Sequence, residues 1–190
     1  MDSLINLFSD HIDLSNEDIK FIKENSLVSD YPKNHLLLKQ GETSKAFYFV
    51  IKGCLRLFYS SGLDEKTAYF YTEKMFVSSF LSFTKQSPAE HNIATIETST
   101  LVVFDSESVE KFMNFSPKFG IIAKIMMEEE LISYQQMISS FVTQNAEERY
   151  LDFIKKQPNL MQRIPQHQIA TFLGVSPETL SRIRKRIISR

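Results

Sequence analysis

The chain has 190 residues, of which 43% are hydrophobic and 24% are charged, and this is the composition of an ordinary globular protein. Its length suits one mid-sized domain, or one domain with a small appendage. No apolar run approaches the roughly 18 residues that span a bilayer, and the first residues lack the basic and apolar regions of a secretory signal. We therefore expect a cytoplasmic protein that does not associate with membranes.

A single cysteine, Cys54, limits the redox and metal chemistry that the sequence can support. One thiol cannot close an intramolecular disulfide, and by itself it cannot hold zinc or an iron–sulfur cluster. We interpret Cys54 as a small buried hydrophobic residue within a strand. No metal or cofactor is predicted.

The net charge of −1 conceals an uneven distribution along the chain. Residues 155–190 contain eight lysine or arginine residues and one carboxylate, a formal charge of about +7 that leaves about −8 on the rest. An acidic body with a basic end is typical of nucleic-acid-binding proteins. Charge alone is equally compatible with a solvated basic terminus.

Two short helices are predicted at the start of the chain. The first contains the apolar side chains of Leu4, Ile5, Leu7 and Phe8. Ser15 predicts the start of the second, because its hydroxyl can accept a hydrogen bond from the backbone of Asp18.

The middle of the chain contains short runs of aromatic and β-branched residues, which favour strands. Nearly regular spacing and glycines between the runs indicate an antiparallel sandwich or roll. Ser61 and Gly62 predict a hairpin turn within it. The predicted strands cover residues 35–39, 46–51, 55–59, 67–71, 93–96 and 101–104.

A helical period returns after residue 105, where Ser106 is predicted to cap a short helix. Ser116 and Pro117 then predict a long helix that runs to about Phe141. Its second apolar stripe predicts packing against a parallel helix of another copy, whereas burial in the core of its own chain is the alternative. The predicted dimer contacts are Met127, Leu131, Tyr134, Ile138 and Phe141.

The segment from Gln166 to Lys185 has the pattern of a helix-turn-helix, after a further helix that begins near Ala146 and ends before Pro158. Such a motif needs apolar residues between its helices, a small residue at their closest approach and a glycine in the turn. These positions are occupied by Ile169, Ala170, Leu173, Gly174, Val175, Leu180 and Ile183.

The second helix of this motif has a polar face suited to DNA. Ser176 can cap it and Pro177 suits its first position. Arginine can pair with guanine and glutamate with cytosine, while hydroxyls and lysine can hold phosphates. The predicted DNA contacts are His167, Ser176, Pro177, Glu178, Thr179, Ser181, Arg182 and Lys185.

Over nearly its full length the chain resembles the CRP/FNR family of bacterial transcriptional regulators. Residues 40–56 resemble the Gly-Glu turn and following strands of a cyclic-nucleotide-binding β-roll, and residues 173–183 resemble the family's helix-turn-helix. The resemblance implies that Glu178 and Arg182 contact bases, whereas Pro177 replaces an arginine that contacts a base in the cyclic-AMP receptor.

The implied fold is of the α+β class, with three parts. An antiparallel cyclic-nucleotide-binding-like β-roll occupies residues 1–115, a dimerisation helix residues 116–142 and a helical helix-turn-helix domain residues 143–190. The implied partners are double-stranded DNA, a second copy of the chain and RNA polymerase. Any wing strand of the DNA-binding domain is expected around Met161–Ile164.

The cassette that binds the cyclic phosphate in this family is degenerate here. Family members that bind cyclic AMP carry Gly-Glu, which holds the ribose, and a later Arg-Ser or Arg-Thr, which neutralises the phosphate. The matching positions hold Ser78 and Ser79, then Ala89 and Glu90. Because a carboxylate repels a phosphate, cyclic AMP is not the expected effector. Either another small ligand binds the roll, or the roll is purely structural.

Two other classes of function stay open at this stage. A cupin-like metal enzyme has a related roll, but it needs clustered histidines, and His35 and His91 have no histidine nearby in sequence. We therefore predict that the chain is not an enzyme. The second alternative is a small-ligand-binding or protein-interaction module whose basic tail contacts a partner protein.

Overall fold

The computed structural model describes residues 1–62 and 64–188. Within these residues, two four-stranded antiparallel sheets form the body of the molecule, and helices precede and follow them. The strands are β1 (Leu27–Tyr31), β2 (Leu36–Leu38), β3 (Ala46–Lys52), β4 (Leu55–Ser61), β5 (Asp64–Tyr71), β6 (Phe76–Val77), β7 (Asn92–Thr95) and β8 (Ser99–Asp105). The helices are α1 (Asp2–Ser9), α2 (Asn16–Asn25), α3 (Phe80–Lys85), α4 (Ser106–Phe115), α5 (Pro117–Thr143), α6 (Ala146–Lys156), α7 (Leu160–Arg163), α8 (Gln166–Phe172) and α9 (Pro177–Ile188).

The two sheets form the predicted β-roll. One has the strand order β1-β8-β3-β6 and the other β2-β7-β4-β5. Gly62 has φ of +64° in the predicted hairpin between β4 and β5, a conformation that glycine adopts without steric cost. Apolar side chains fill the space between the sheets, among them the fully buried Val50, Leu55 and Leu101.

The first helices and α4 and α5 cover one sheet with a second core of aromatic rings. Phe112 lies edge-on to Phe119 at 4.9 Å and to Phe104 at 5.4 Å, which joins α4, α5 and β8. The predicted cap of α2 is confirmed, because the Ser15 hydroxyl accepts a hydrogen bond from the Asp18 amide at 3.1 Å. None of the helices formed by the described residues is both long and apolar enough to cross a bilayer.

Three local predictions were wrong. Asp105 rather than Ser106 caps α4, because its carboxylate accepts a hydrogen bond from the Ser108 amide at 2.8 Å. Cys54 is fully buried, as expected, but it lies in the turn between β3 and β4 rather than in a strand. Residues 161–164, where a wing strand was expected, belong to α7 and the residue that follows it.

The third core joins the helix-turn-helix to the roll. Phe70 of β5 packs at 5.1 Å from the Phe172 ring of α8, and Cys54 and Ile96 of the roll belong to the same buried cluster as Ile169 and its neighbours. Burial raises the pKa of Cys54 to about 12, so its thiol stays protonated at neutral pH. The C-terminal helices are therefore packed against the body of the molecule.

Candidate nucleic-acid interface

The helix-turn-helix has the interior that its sequence pattern predicts. Ile169 and Ala170 of α8 and Leu180 and Ile183 of α9 are buried against one another. At the end of α8 the Gly174 amide donates to the carbonyl of Thr171 at 3.1 Å, and the Val175 amide donates to that of Ala170 at 3.0 Å. This pair of bonds is a Schellman cap, which needs a left-handed residue in the turn.

Gly174 supplies that left-handed residue, with φ of +72°. A β-carbon at this position would lie 3.0 Å from a ring carbon of Phe141, near the end of α5. The guanidinium of Arg149 lies 4.7 Å from the centre of the same ring and donates to the carbonyl of Leu173 at 2.9 and 3.2 Å. The turn between the two helices is thus held against the end of the long helix.

The other face of α9 is available to solvent. Ser176 caps the helix, because its hydroxyl accepts a hydrogen bond from the Thr179 amide at 3.2 Å. The Ser176 hydroxyl oxygen also lies 3.2 Å from that of Thr179, and the Arg182 guanidinium donates to the Thr179 oxygen at 3.1 Å. Of the residues predicted to contact DNA, Thr179 is half-buried, and the exposed ones are His167, Ser176, Pro177, Glu178, Ser181, Arg182 and Lys185.

The surroundings of Glu178 on this face favour its charged form. The hydrogen bond from the Ser176 side chain holds the pKa of Glu178 below its usual value, with a smaller contribution from the positive charge of Arg182. Glu178 is therefore a carboxylate at neutral pH, and Arg182 lies one helical turn further along α9. These are the groups that accept from cytosine and pair with guanine in the major groove.

Some cations of residues 155–190 form ion pairs with carboxylates of other elements. Arg163 forms ion pairs with Glu73 at 2.8 Å and with Glu97, both of which belong to the roll. Arg186 pairs with Glu147 of α6 at 2.9 Å. The formal charge of residues 155–190 therefore overstates the positive charge that the surface of α9 presents.

Helix α5 carries an exposed apolar stripe. Met127, Leu131 and Ile138 are 50%, 58% and 60% exposed, although all three are apolar and follow a heptad-like spacing. Tyr134 lies in the same stripe, but its hydroxyl is 3.1 Å from that of Tyr71 and donates to Glu130 at 2.6 Å. Phe141, at the end of the stripe, is 45% exposed, and its ring lies against Arg149 of α6 and beside Gly174 of the turn.

The four positions of the predicted degenerate cassette differ in their exposure to solvent. Ser78, Ser79 and Ala89 are buried, whereas Glu90 is exposed. The Ser78 hydroxyl is 3.4 Å from the carbonyl of Ala46, and the backbone of Ala89 exchanges hydrogen bonds of 2.8 Å with the turn at Gly41 and Glu42. The backbone of Ala89 is thus paired with this turn, and the four positions predicted to form the cassette carry no arginine.

Among residues 1–62 and 64–188, no three histidine, cysteine, aspartate or glutamate side chains are grouped so that they could hold a metal ion. His91 is half-buried against the Tyr59 ring at 5.7 Å, and burial lowers its pKa.

Arg149 and Arg163 are structural residues that the sequence did not single out. Arg149 of α6 supports the turn of the helix-turn-helix. Arg163 binds Glu73 and Glu97 of the roll, which precede it in the sequence by 90 and 66 residues. No local pattern marks them, because their partners are defined only by the tertiary fold.

Comparison with known protein families agrees with this geometry. Residues 28–115 match the model of the cyclic nucleotide-binding domain family. Among curated protein sequences, none matches the chain significantly.

Solved structures match the chain over most of its length. FixK2 from Bradyrhizobium japonicum is 16% identical with a TM-score of 0.74, covering 86% of this chain and 85% of its own. The c-di-GMP responsive global regulator CLP of Xanthomonas campestris is 16% identical with a TM-score of 0.73, covering 92% of both chains. A protein of Eubacterium rectale assigned to the CRP/FNR family is 17% identical with a TM-score of 0.72, covering 96% of this chain and 86% of its own. The resemblance predicted from the sequence is confirmed at the level of the fold.

Proposed function

We propose that this chain, which has the fold of CRP/FNR-type regulators, is a homodimeric transcriptional regulator that binds specific DNA sequences. The observation that carries the proposal is the surface of α9. Its interior side is buried in the helix-turn-helix, while Glu178, Ser181 and Arg182 are exposed on the opposite side. A helix with this division suits the major groove, where such side chains meet base edges.

The apolar stripe of α5 supports the proposed dimer. Met127, Leu131 and Ile138 expose large apolar side chains to water in the single chain, which favours burial against a second copy of the helix. Two recognition helices related by a two-fold axis would contact half-sites about one turn of DNA apart. The expected operator is therefore roughly palindromic, and RNA polymerase is the partner that the family resemblance suggests.

The proposed regulator does not respond to cyclic AMP. The exposed Glu90 supplies negative charge beside the buried Ala89, where family members that bind the nucleotide have an arginine. The buried Ser79 has no carboxylate with which to hold a ribose.

DNA recognition is tested by fluorescence anisotropy with labelled promoter fragments from the genes beside its own. The wild-type chain should prefer at least one fragment to random DNA of equal length. Arg182→Ala should reduce that preference by about 1–3 kcal/mol, because it removes a base contact. Lys185→Ala should weaken binding to every sequence and flatten its dependence on salt.

Lys20→Ala is the matched control for charge. Lys20 is an exposed lysine of α2, whose ammonium lies 3.9 Å from Glu24 on the same helix. Its replacement removes one positive charge and should leave both affinity and preference unchanged. If the wild-type chain binds random DNA as tightly as every fragment, the proposal fails. That result would favour the alternative in which the basic tail contacts a partner protein.

A further inference from the structure

A cavity of about 520 Å³ lies between the roll and the helices that follow it. Its volume is within the range of sites that hold small organic molecules. Aromatic and aliphatic side chains from three parts of the fold form most of its wall. They include Phe47 and Phe76 of the roll, Val109 and Met113 of α4, and Ile122 and Met126 of α5.

This cavity differs from the site that the degenerate cassette would form. Ser78 is the one cassette position among the residues that line it, since Ser79, Ala89 and Glu90 do not. The space between the two sheets is instead filled by buried side chains such as Leu57, which is 6% exposed. Space for a ligand is thus found on the α4 and α5 side of the roll.

The polar groups that line the cavity include a carboxylate without a cation. Glu130 is half-buried and accepts a hydrogen bond from the Tyr134 hydroxyl at 2.6 Å, but it forms no ion pair among the described residues. Burial raises the pKa of Glu130, although the hydrogen bond from Tyr134 opposes that effect. A half-buried carboxylate is stabilised by an added positive charge or hydrogen-bond donor.

We propose that this cavity binds an apolar small molecule that carries an amine, with the apolar body between α4 and the roll and the ammonium at Glu130. The second carboxylate of the lining, Glu129, adds negative charge beside it. Lys74 also lines the cavity, and it is exposed to solvent. The two carboxylates outnumber this ammonium, so the lining favours a cation over an anion.

Binding at this site would act on α5 directly. Ile122 and Met126 line the cavity, and Met127 both lines it and belongs to the exposed stripe of the same helix. A ligand that fills the cavity therefore contacts the helix that the proposed dimer uses. This regulatory role rests on the proposed function, whereas the binding site itself does not.

The test compares three naphthalene probes of nearly equal size that differ in charge: naphthylmethylamine, naphthylmethanol and naphthoate. Binding to the full chain is measured by isothermal titration calorimetry without DNA, so failure here is distinct from failure of DNA recognition. The amine should bind about tenfold more tightly than the alcohol, because a hydrogen bond between charged groups is roughly twice as strong as a neutral one. Naphthoate should bind most weakly.

Two pairs of variants locate the site. Glu130→Gln should abolish the preference for the amine over the alcohol, and Glu128→Gln should keep it. Glu128 precedes the two lining carboxylates on α5 and pairs with Lys124 at 3.7 Å. Val109→Trp should fill the cavity and weaken all three probes, whereas Val28→Trp, at an exposed position of β1, should not.

Thermal unfolding establishes that each variant is folded. If Val109→Trp does not fold, the conservative Glu130→Gln and Glu128→Gln pair still decides the outcome. The inference is overturned if naphthoate binds as tightly as the amine, if both glutamine variants behave alike, or if a folded Val109→Trp binds the amine as the wild type does.

Discussion

Gly174 illustrates how a single residue is fixed by two independent constraints. Its φ of +72° lies in the left-handed region, and a β-carbon there would meet the Phe141 ring at 3.0 Å. The first constraint comes from the Schellman cap of α8, and the second from the packing of the turn on α5. The sequence pattern anticipates the first constraint only, because Phe141 is remote in the chain.

Gly174→Ala should lower the free energy of unfolding by about 1–3 kcal/mol, since alanine is strained at positive φ and its methyl group must displace an aromatic ring. Denaturant unfolding followed by circular dichroism measures this change. Gly62→Ala is the matched control, because Gly62 has φ of +64° but nothing within 4 Å of a β-carbon. Equal effects at the two positions would contradict a contribution from the Phe141 contact.

At the scale of elements, the exposed stripe of α5 carries the proposal of a dimer. Leu131→Asp should convert the proposed dimer into monomers, because it places a charge in an apolar interface. Sedimentation velocity over a range of concentrations measures the change.

Ile132→Asp is the matched control for this change. Ile132 is 52% exposed and Leu131 is 58% exposed, so the two substitutions alter similar surfaces. One residue along a helix turns the side chain by about 100°, which moves it off the stripe. A monomeric wild-type chain, or equal dissociation by both variants, would refute the assignment of this face.

Elements with a strong local signal were predicted well. The strands β3, β4, β5, β7 and β8 contain runs of aromatic or β-branched residues. The predicted start of α5 is also confirmed, because the Ser116 hydroxyl caps the helix by accepting a hydrogen bond from the Lys118 amide at 3.4 Å. β1 was missed because Ser29 and Asp30 interrupt its apolar run, and Leu27 is 63% exposed at the edge of the sheet. β6 has two residues, which is too short for any periodic signal.

The wing prediction failed for a related reason. Residues 160–164 bury Leu160 and Ile164, a spacing of four that is compatible with one helical turn. Over so few residues an apolar pattern does not separate a helix from a strand. The tertiary packing of Leu160 in the core of the helix-turn-helix decides between them.

At the scale of the whole molecule, the helix-turn-helix packs directly against the roll. The Thr171 hydroxyl lies 3.0 Å from that of Thr67, and the Phe172 and Phe70 rings are 5.1 Å apart. Arg163 adds ion pairs to two carboxylates of the roll. Such pairs cannot be predicted from one sequence, since the partners at Thr67 and Thr171 are 104 residues apart. The family resemblance implies a roll, a dimerisation helix and a helix-turn-helix domain, and it does not specify how they pack together.

The Arg163 ion pairs should stabilise the packing of the helix-turn-helix against the roll. The guanidinium donates to Glu73 at 2.8 and 3.0 Å, and the side chains of Arg163 and Glu73 are 24% and 38% exposed. Arg163→Gln should lower the free energy of unfolding by about 1–2 kcal/mol, between the values for exposed and buried pairs. Lys20→Gln, in an exposed pair within α2, should have a smaller effect.

The pH dependence of Glu73 provides a second measurement on the same contact. Burial alone raises the pKa of Glu73, but hydrogen bonds from Arg163 and the Gly53 amide lower it overall. A carboxylate whose pKa is lowered by folding stabilises the protein above its unfolded pKa of about 4.3, and that stabilisation is lost as the pH falls further. The difference in unfolding free energy between wild type and Glu73→Gln should therefore be constant near neutral pH and shrink below about pH 4. Denaturant titrations at a series of pH values measure it. A difference that persists undiminished in acid would mean that the contact between roll and helix-turn-helix does not depend on the charge of Glu73.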